Sequence, residues 1–343
     1  MGALATSDPN GTGEVQPLEI VETAGMNGYY EYNVYTEEET FVPASEYAPV
    51  SRSSESRGTV EKPCDPSVLD TFYTEYYEDE GESAIEGDLD AEIQPFGIIG
   101  SDNRTSVGSV VDPYTHVCLV VARYPNNKKD YGTGFLIDDY HVATAGHLVY
   151  KKEWGGYASH FAVYAGSNNG TYKKYSLAHW YKVGGQFVSE YDDYNNKAKF
   201  DDWAIVTCDS SMSTVGSFGL KVANSANDMD YKYTTAGYPA PLNEEEFNYP
   251  EWNTDNLIQY RMYRTTGSVI ADEYQPTTRY LPVVSMNIDV ERGQSGSPVY
   301  RYVSGKGYCA QAIIICEVRD GWGSPLYNSA ILINDWLYNA MKT

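Results

Sequence analysis

The sequence predicts an all-β protein: two antiparallel β-barrels packed together, closed by one C-terminal helix and preceded by an acidic segment of different character. Three observations predict it. From about residue 110 onward, short apolar or alternating runs are separated by polar, Gly-bearing turns. A helical pattern of any length appears only at the end, and many short strands with one terminal helix fit packed barrels. The formal net charge of −24 is unevenly placed: residues 1–96 hold 22 Asp and Glu against 3 Lys and Arg, net −19, and the remainder holds 26 against 21, net −5.

In chain order, Val117-Cys118-Leu119-Val120-Val121-Ala122 reads as one strand. Gly134-Phe135-Leu136-Ile137, a turn at Asp138-Asp139-Tyr140, and His141-Val142-Ala143-Thr144 read as a hairpin. Further strands are expected at residues 161–164, 203–207, 233–236, 262–269, 281–284, 299–302, 311–316 and 329–333. Asn334 is placed to cap a helix over residues 335–341, with Leu337 and Met341 on one face. The acidic segment is rich in Glu, Tyr and Ser. Its charge argues for disorder, whereas Tyr29-Tyr30-Glu31-Tyr32-Asn33-Val34-Tyr35 argues for extended structure that packs on a partner surface. Composition alone leaves a solvated tail or linker open beside a functional segment.

At 343 residues the chain can bury a substantial core. A protein this acidic has no electrostatic footprint for phosphate backbones or anionic membranes, so neither nucleic acid nor membrane is expected as a partner. No apolar run approaches the ~20 residues of a spanning helix. Met1-Gly2-Ala3-Leu4-Ala5 lacks the basic and long apolar segments of a signal peptide and reads as a chain whose export signal has been removed. The five cysteines (Cys64, Cys118, Cys208, Cys309, Cys316) are an odd set. Cys309 and Cys316 fall on one predicted strand about 23 Å apart, beyond disulfide reach, and no disulfide framework is expected. No zinc motif, phosphate-binding glycine loop or EF-hand loop occurs, so no cofactor is implied. Calcium at acidic loops such as Asp192-Asp193 has no motif in its support.

The stretch that carries chemistry is Gly293-Gln294-Ser295-Gly296-Ser297-Pro298-Val299-Tyr300. Small residues on both sides of a serine let its hydroxyl stand exposed on a tight turn while backbone N–H groups face the same point, as an acyl-transfer nucleophile requires. Alone, such a string also marks ordinary turns. Upstream lie Thr144-Ala145-Gly146-His147 and Asp202-Trp203-Ala204-Ile205-Val206, giving base, acid and nucleophile in the order His, Asp, Ser. Each has an ordinary reading: Ser295 a turn residue, His147 an interior histidine, Asp202 a strand-end cap. Their joint occurrence inside three such strings favours catalysis. Asp201 is the competing acid; the frame Asp-Trp-Ala-Ile-Val selects Asp202 and leaves Asp201 a solvated neighbour.

These strings, with Ile99-Gly100-Ser101-Asp102-Asn103-Arg104-Thr105, Gly132-Thr133-Gly134 and Gly237-Tyr238-Pro239, resemble the bacterial glutamyl endopeptidases, secreted relatives of the chymotrypsin-like serine proteases. The matching pieces keep the family's order across residues 97–343. The resemblance implies two six-stranded-type barrels with the site in the crevice between them, an N-terminal barrel at about 97–215 and a C-terminal barrel at about 216–343. It implies a secreted bacterial serine endopeptidase acting on protein or peptide substrates: Ser295 attacks, His147 shuttles the proton, Asp202 orients the imidazole, and the N–H groups of Gly293 and Ser295 hold the oxyanion. Residues 1–96 become a propeptide, cut near residues 94–98, and a possible intramolecular inhibitor. Gln294 stands where trypsin-like zymogens place the aspartate that pairs with the freed amino terminus, so latency is expected to come from the acidic segment covering or misplacing the site. The disulfide that brackets the histidine in some relatives is missing, its positions matching Gly132 and Leu148.

Substrate preference is less legible. Glutamyl endopeptidases read the substrate carboxylate with a histidine whose position here matches Cys316, and no histidine follows His179. Asp289, six residues before Ser295, holds the position where trypsin-like enzymes keep the acid that binds Lys or Arg. Arg319 can supply a cation for an acidic side chain or neutralise Asp289, and Cys316 can be a small buried apolar residue. The expectation is a relaxed or non-glutamate preference. The remaining histidines, His116, His141, His160 and His179, read as surface or strand residues. Two competing functions remain: a catalytically inactive protease-fold binding or adhesion protein, and a toxin-like protease with one target.

Overall fold

In the computed structural model, residues 28–44, 98–194, 197–240, 260–273, 281–319 and 325–342 are described. Cys64 and all but residue 98 of the expected processing site at 94–98 lie outside them. The strands, in chain order, are β1 (Gly28–Asn33), β2 (Glu38–Pro43), β3 (Thr105–Ser106), β4 (Val117–Arg123), β5 (Lys129–Leu136), β6 (His141–Thr144), β7 (Tyr150–Lys151), β8 (Gly156–Tyr157), β9 (His160–Ala165), β10 (Lys174–Gly184), β11 (Ala204–Cys208), β12 (Gly219–Leu220), β13 (Tyr233–Gly237), β14 (Tyr263–Gly267), β15 (Val269–Asp272), β16 (Val283–Met286), β17 (Pro298–Val303), β18 (Gly307–Arg319) and β19 (Pro325–Leu332). Among the described residues two α-helices accompany them, the single turn α1 (Gly185–Ser189) and the terminal α2 (Asp335–Lys342). The predicted all-β class with a C-terminal helix is what the chain adopts.

The first sheet runs β11-β6-β5-β4-β9-β10 and closes on itself through β10–β11, a six-stranded barrel. Beyond β10 it continues into β1 and β2. The second sheet runs β15-β16-β19-β18-β17-β13-β14-β3, with β12 pairing parallel to β18. Only Ser268 separates β14 from β15, so chain continuity brings the far strands of this sheet back together. The expected strand at 262–269 is thus two, which turn a corner between different neighbours. β3 also departs from the expected partition: it lies within 97–215 yet pairs with β14 of the second sheet.

Period-2 patterning explains the layers. In β4, Cys118, Val120 and Ala122 face the interior of the first barrel, while Val117, Leu119 and Val121 face the layer between the sheets. In β18, Ala312 and Ile314 enter the second interior while Ile313 and Ile315 face the same middle layer as β4. Both faces of these strands are dry, so they read as continuous apolar runs. Each fully buried aliphatic side chain contributes roughly 1.5–3 kcal/mol. Trp203, Phe218, Tyr238 and Leu337 join the middle layer, and α2 packs its Leu337 and Met341 face there. Asn334 Oδ1 accepts the Leu337 N–H at 2.8 Å, the expected cap.

Cys309 and Cys316 share β18, and Cys118, Cys208, Cys309 and Cys316 are all buried. At the positions of the missing disulfide, the Leu148 side chain packs directly over Gly132, an apolar contact in place of the covalent one.

Candidate active site

His147 sits on a single 3-10 turn, Gly146–Leu148, directly after β6, whose pairing with β5 and β11 fixes where the turn begins. Asp202 ends the 3-10 turn Ala198–Asp201 and precedes β11. β6 and β11 are neighbours, Thr144 opposite Ala204, so the two residues emerge side by side at one end of the barrel. Asp202 holds His147 at two points: Oδ2 lies 2.8 Å from Nδ1 and Oδ1 accepts the backbone N–H at 2.8 Å. The carboxylate is fully buried, while the imidazole side chain is 22% exposed. A side chain at Gly146 would crowd the Asp202 oxygen, at 3.0 Å, which accounts for glycine before the histidine.

A third group meets this carboxylate. The Tyr194 hydroxyl donates to Asp202 Oδ2 at 2.5 Å and lies beside the Cys316 thiol. Burial, reinforced by the nearby Asp202 charge, raises the Tyr194 phenol well above its ordinary range and keeps it a donor. Nothing in the local sequence marks Tyr194; only the folded registry brings it to the acid.

Ser295 lies between Gly293 and Gly296, both left-handed with φ of +90° and +82°. The close approach is tightest at Gly296, where an added Cβ would run into Thr133 O and Thr144 Oγ1 and come within 2.9 Å of Ala145 N. The serine turn therefore abuts the segment that leads into His147. Thr133 fastens it. Its backbone N–H donates to Ser295 O at 2.9 Å, its hydroxyl donates to Gly293 O at 2.9 Å, and the Thr133 Oγ1 atom itself accepts the Tyr238 N–H at 3.0 Å. Thr144 Oγ1 in turn donates to Thr133 O at 2.7 Å. Among the described residues, neither the Gly293 nor the Ser295 N–H donates to a backbone carbonyl, the condition an oxyanion hole requires.

Several sequence expectations change here. Asp201 is not solvated: it is 5% exposed, its Oδ1 accepts Trp203 Nε1 at 2.7 Å and its Oδ2 accepts the Gln186 N–H at 2.9 Å. Burial dominates these bonds and pushes its carboxyl up to about 7. Asp289 does not present an unengaged carboxylate. Its two oxygens accept the backbone N–H groups of Ile99 and Asn103, each at 2.9 Å, and it is 2% exposed. The segment entering the second sheet is thereby pinned at Asp289, and the Arg104 guanidinium makes a two-bond pair with Asp102 in the same turn. Gln294 is buried and closes its own turn, Oε1 accepting the Glu291 N–H at 2.9 Å. Cys316 lies against Tyr194 and Ser329 in a dry setting that pushes its thiol up to about 12. Arg319 ends β18, and its side chain falls outside the described atoms.

The remaining histidines are distributed as follows. His116 is buried rather than superficial, 3.5 Å from Asp112, and desolvation lowers it to about 4. His141 pairs with Asp138 at 2.8 Å and His179 with Asp209. The acid loop is tied across to the second sheet by the buried Lys199–Glu273 ion pair at 2.7 Å and by the Leu281 N–H donating to Phe200 O. Among the described residues no group of three or more His, Cys, Asp or Glu is placed to hold a metal ion.

A closed barrel packed on a second curled sheet, with a His–Asp pair and a glycine-flanked serine where they meet, defines the class of two-barrel serine hydrolase folds. Residues 106–327 match the family Trypsin, and the chain belongs to that family. It is 30% identical over 237 residues to "Extracellular metalloprotease" of Bacillus subtilis (strain 168), a match covering 68% of this chain and 66% of that protein. It is 25% identical over 244 residues to "Glutamyl endopeptidase" of Bacillus licheniformis, covering 71% and 67%. The chain thus spans about two thirds of the length of these relatives. A solved structure of a Glu endopeptidase in complex with MPD superposes with a TM-score of 0.52 at 19% identity, over 72% of this chain and all of that one, which supports the fold.

Proposed function

We propose that the protein is a secreted serine endopeptidase, made as a proprotein and cut near residues 94–98, that hydrolyses peptide bonds through an acyl-enzyme. Ser295 attacks the carbonyl, His147 takes the hydroxyl proton and returns it to the leaving amine, and Asp202 fixes the tautomer and stabilises the imidazolium. The N–H groups of Gly293 and Ser295 hold the oxyanion. The observation that carries this reading is the two-point Asp202–His147 attachment beside a serine turn that Thr133 fastens to the His147 segment. A protease-fold binding protein needs no such arrangement.

The substrate side is read as relaxed at P1. Cys316 stands at the position of the family's histidine as a buried, uncharged thiol, and the Asp289 carboxylate is spent on Ile99 and Asn103. Neither offers a charge dedicated to a P1 side chain. The test is covalent labelling with a fluorophosphonate, which should modify wild type at Ser295 and leave Ser295→Ala and His147→Ala unmodified. An unlabelled, correctly folded and processed wild type would favour the binding-protein alternative. Cleavage-site profiling in a peptide mixture then reads P1, and a sharp glutamate preference would overturn the relaxed reading.

A further inference from the structure

The hairpin at residues 28–44 belongs to the acidic segment, yet it is built into the first barrel. β10 pairs with β9 along residues 174–178 and with β11 along residues 178–183, which leaves one edge of residues 180–184 without a strand from the barrel itself. β1 takes that edge antiparallel, Tyr29 opposite Gly184 through Asn33 opposite Trp180, and β2 covers β1 in turn. An open strand edge in an apolar setting is a template for pairing, and an added strand gains both main-chain bonds and side-chain pockets.

The pockets are specific. Tyr32 stacks on Tyr157 with ring centroids 4.2 Å apart and 9° between planes. Tyr35 stacks on His179, with the Val34 N–H donating to His179 O at 2.9 Å. Tyr29, 2% exposed, meets the Trp203 ring edge to face at 6.1 Å and carries the Lys182 ammonium over its own ring at 5.4 Å. Trp203 is the residue after Asp202 and the donor to Asp201. The hairpin thus seals the outer side of the loop that carries the orienting acid.

We propose that residues 28–44 are a permanent structural part of the protease domain: after the chain is cut between residues 44 and 98, the amino-terminal fragment stays bound as the seventh and eighth strands of the first sheet, giving a two-chain protein. The processing itself rests on the function proposed above, but the binding does not, and its test needs no activity. Ser295→Ala full-length protein carrying an inserted site for a sequence-specific protease between residues 44 and 98 is cut and run on native size exclusion, with intact mass measured across the peak. The fragment should co-elute with the domain, and the β10 amides should keep the hydrogen-exchange protection of the uncut protein. Tyr32→Ala and the surface change Tyr35→Ala should each speed release of the cut fragment about ten-fold or more. Release of the wild-type fragment from a domain that stays folded, or loss of β10 protection on cutting, would overturn the proposal.

Discussion

The Tyr194 hydroxyl donates to the same oxygen of Asp202 that faces His147 Nδ1, at 2.5 and 2.8 Å. Asp202 Oδ1 meanwhile accepts the His147 backbone N–H. Three donors from two segments therefore fix the carboxylate plane, and with it the imidazole. In Tyr194→Phe the ring still fills its site but Oδ2 loses one donor, so the acid is free to rotate. Turnover should fall about ten-fold, from misplacement rather than lost chemistry, with KM nearly unchanged. Steady-state kinetics with denaturant unfolding of the same variant check this; a kcat loss no larger than the fraction unfolded under assay conditions would assign the residue to stability alone.

Thr133 makes a second prediction. Its hydroxyl donates to Gly293 O and accepts from Tyr238 N, and all these groups are buried. Thr133→Val keeps the shape and removes both bonds, leaving a buried carbonyl and a buried N–H without their partner at a cost of about 1–3 kcal/mol each. The serine turn should loosen, and the rate of fluorophosphonate labelling at Ser295 should drop at least about ten-fold. Thr133→Ser should restore most of it. A labelling rate unmoved by Thr133→Val would show that the turn holds itself.

The adjacent acids should separate cleanly by assay. Asp202→Asn places a neutral amide against His147 Nδ1 and favours the wrong tautomer, a change that costs on the order of 10⁴ in turnover where such a triad operates. Asp201→Asn instead turns an amide N–H₂ toward the Gln186 N–H or the Trp203 indole, both donors. That should lower unfolding stability by about 1–3 kcal/mol while turnover stays within a few-fold. Denaturant unfolding and kinetics on both variants decide it, and the reverse ranking would move the orienting role to Asp201.

How much of this was legible in the chain depends on the range over which each contact acts. The strings around His147, Asp202 and Ser295 are contiguous, so they stand out before folding, as do β4, the β5–β6 hairpin and the Asn334 cap. β10 does not stand out in the sequence because Lys174, His179 and Lys182 interrupt its apolar pattern, although Tyr181 and Val183 point into the barrel. The tyrosines of 29–35 signalled an extended packing segment, but not that the surface is β10. Thr133 acts on Gly293, 160 positions away, and Asp201 is buried by an indole and an amide from α1. No local pattern encodes such partners. Cys316 falls within the expected strand at 311–316, which is part of β18, but its surroundings come from Tyr194, on the other barrel.

His116 and Asp201 make the fold respond to acid in opposite senses. Burial lowers His116 to about 4 from an ordinary 6.5, so between those values the unfolded chain binds a proton that the folded chain refuses. Stability from this group is fully present above pH 6.5 and declines as pH falls toward 4, by about 3 kcal/mol in all. Burial raises Asp201 from 3.8 to about 7, so across nearly the same window the folded chain holds a proton the unfolded chain has lost. That contribution runs the other way: stability falls as pH rises from 4 to 7, by about 4 kcal/mol. The wild-type profile between pH 4 and 7 should therefore be shallow even though both groups titrate. His116→Gln removes one arm. The stability of wild type minus that of His116→Gln, from urea unfolding at pH 4, 5, 6 and 7, should grow by about 3 kcal/mol with rising pH, and a constant difference would mean that the imidazole titrates alike in the folded and unfolded chains.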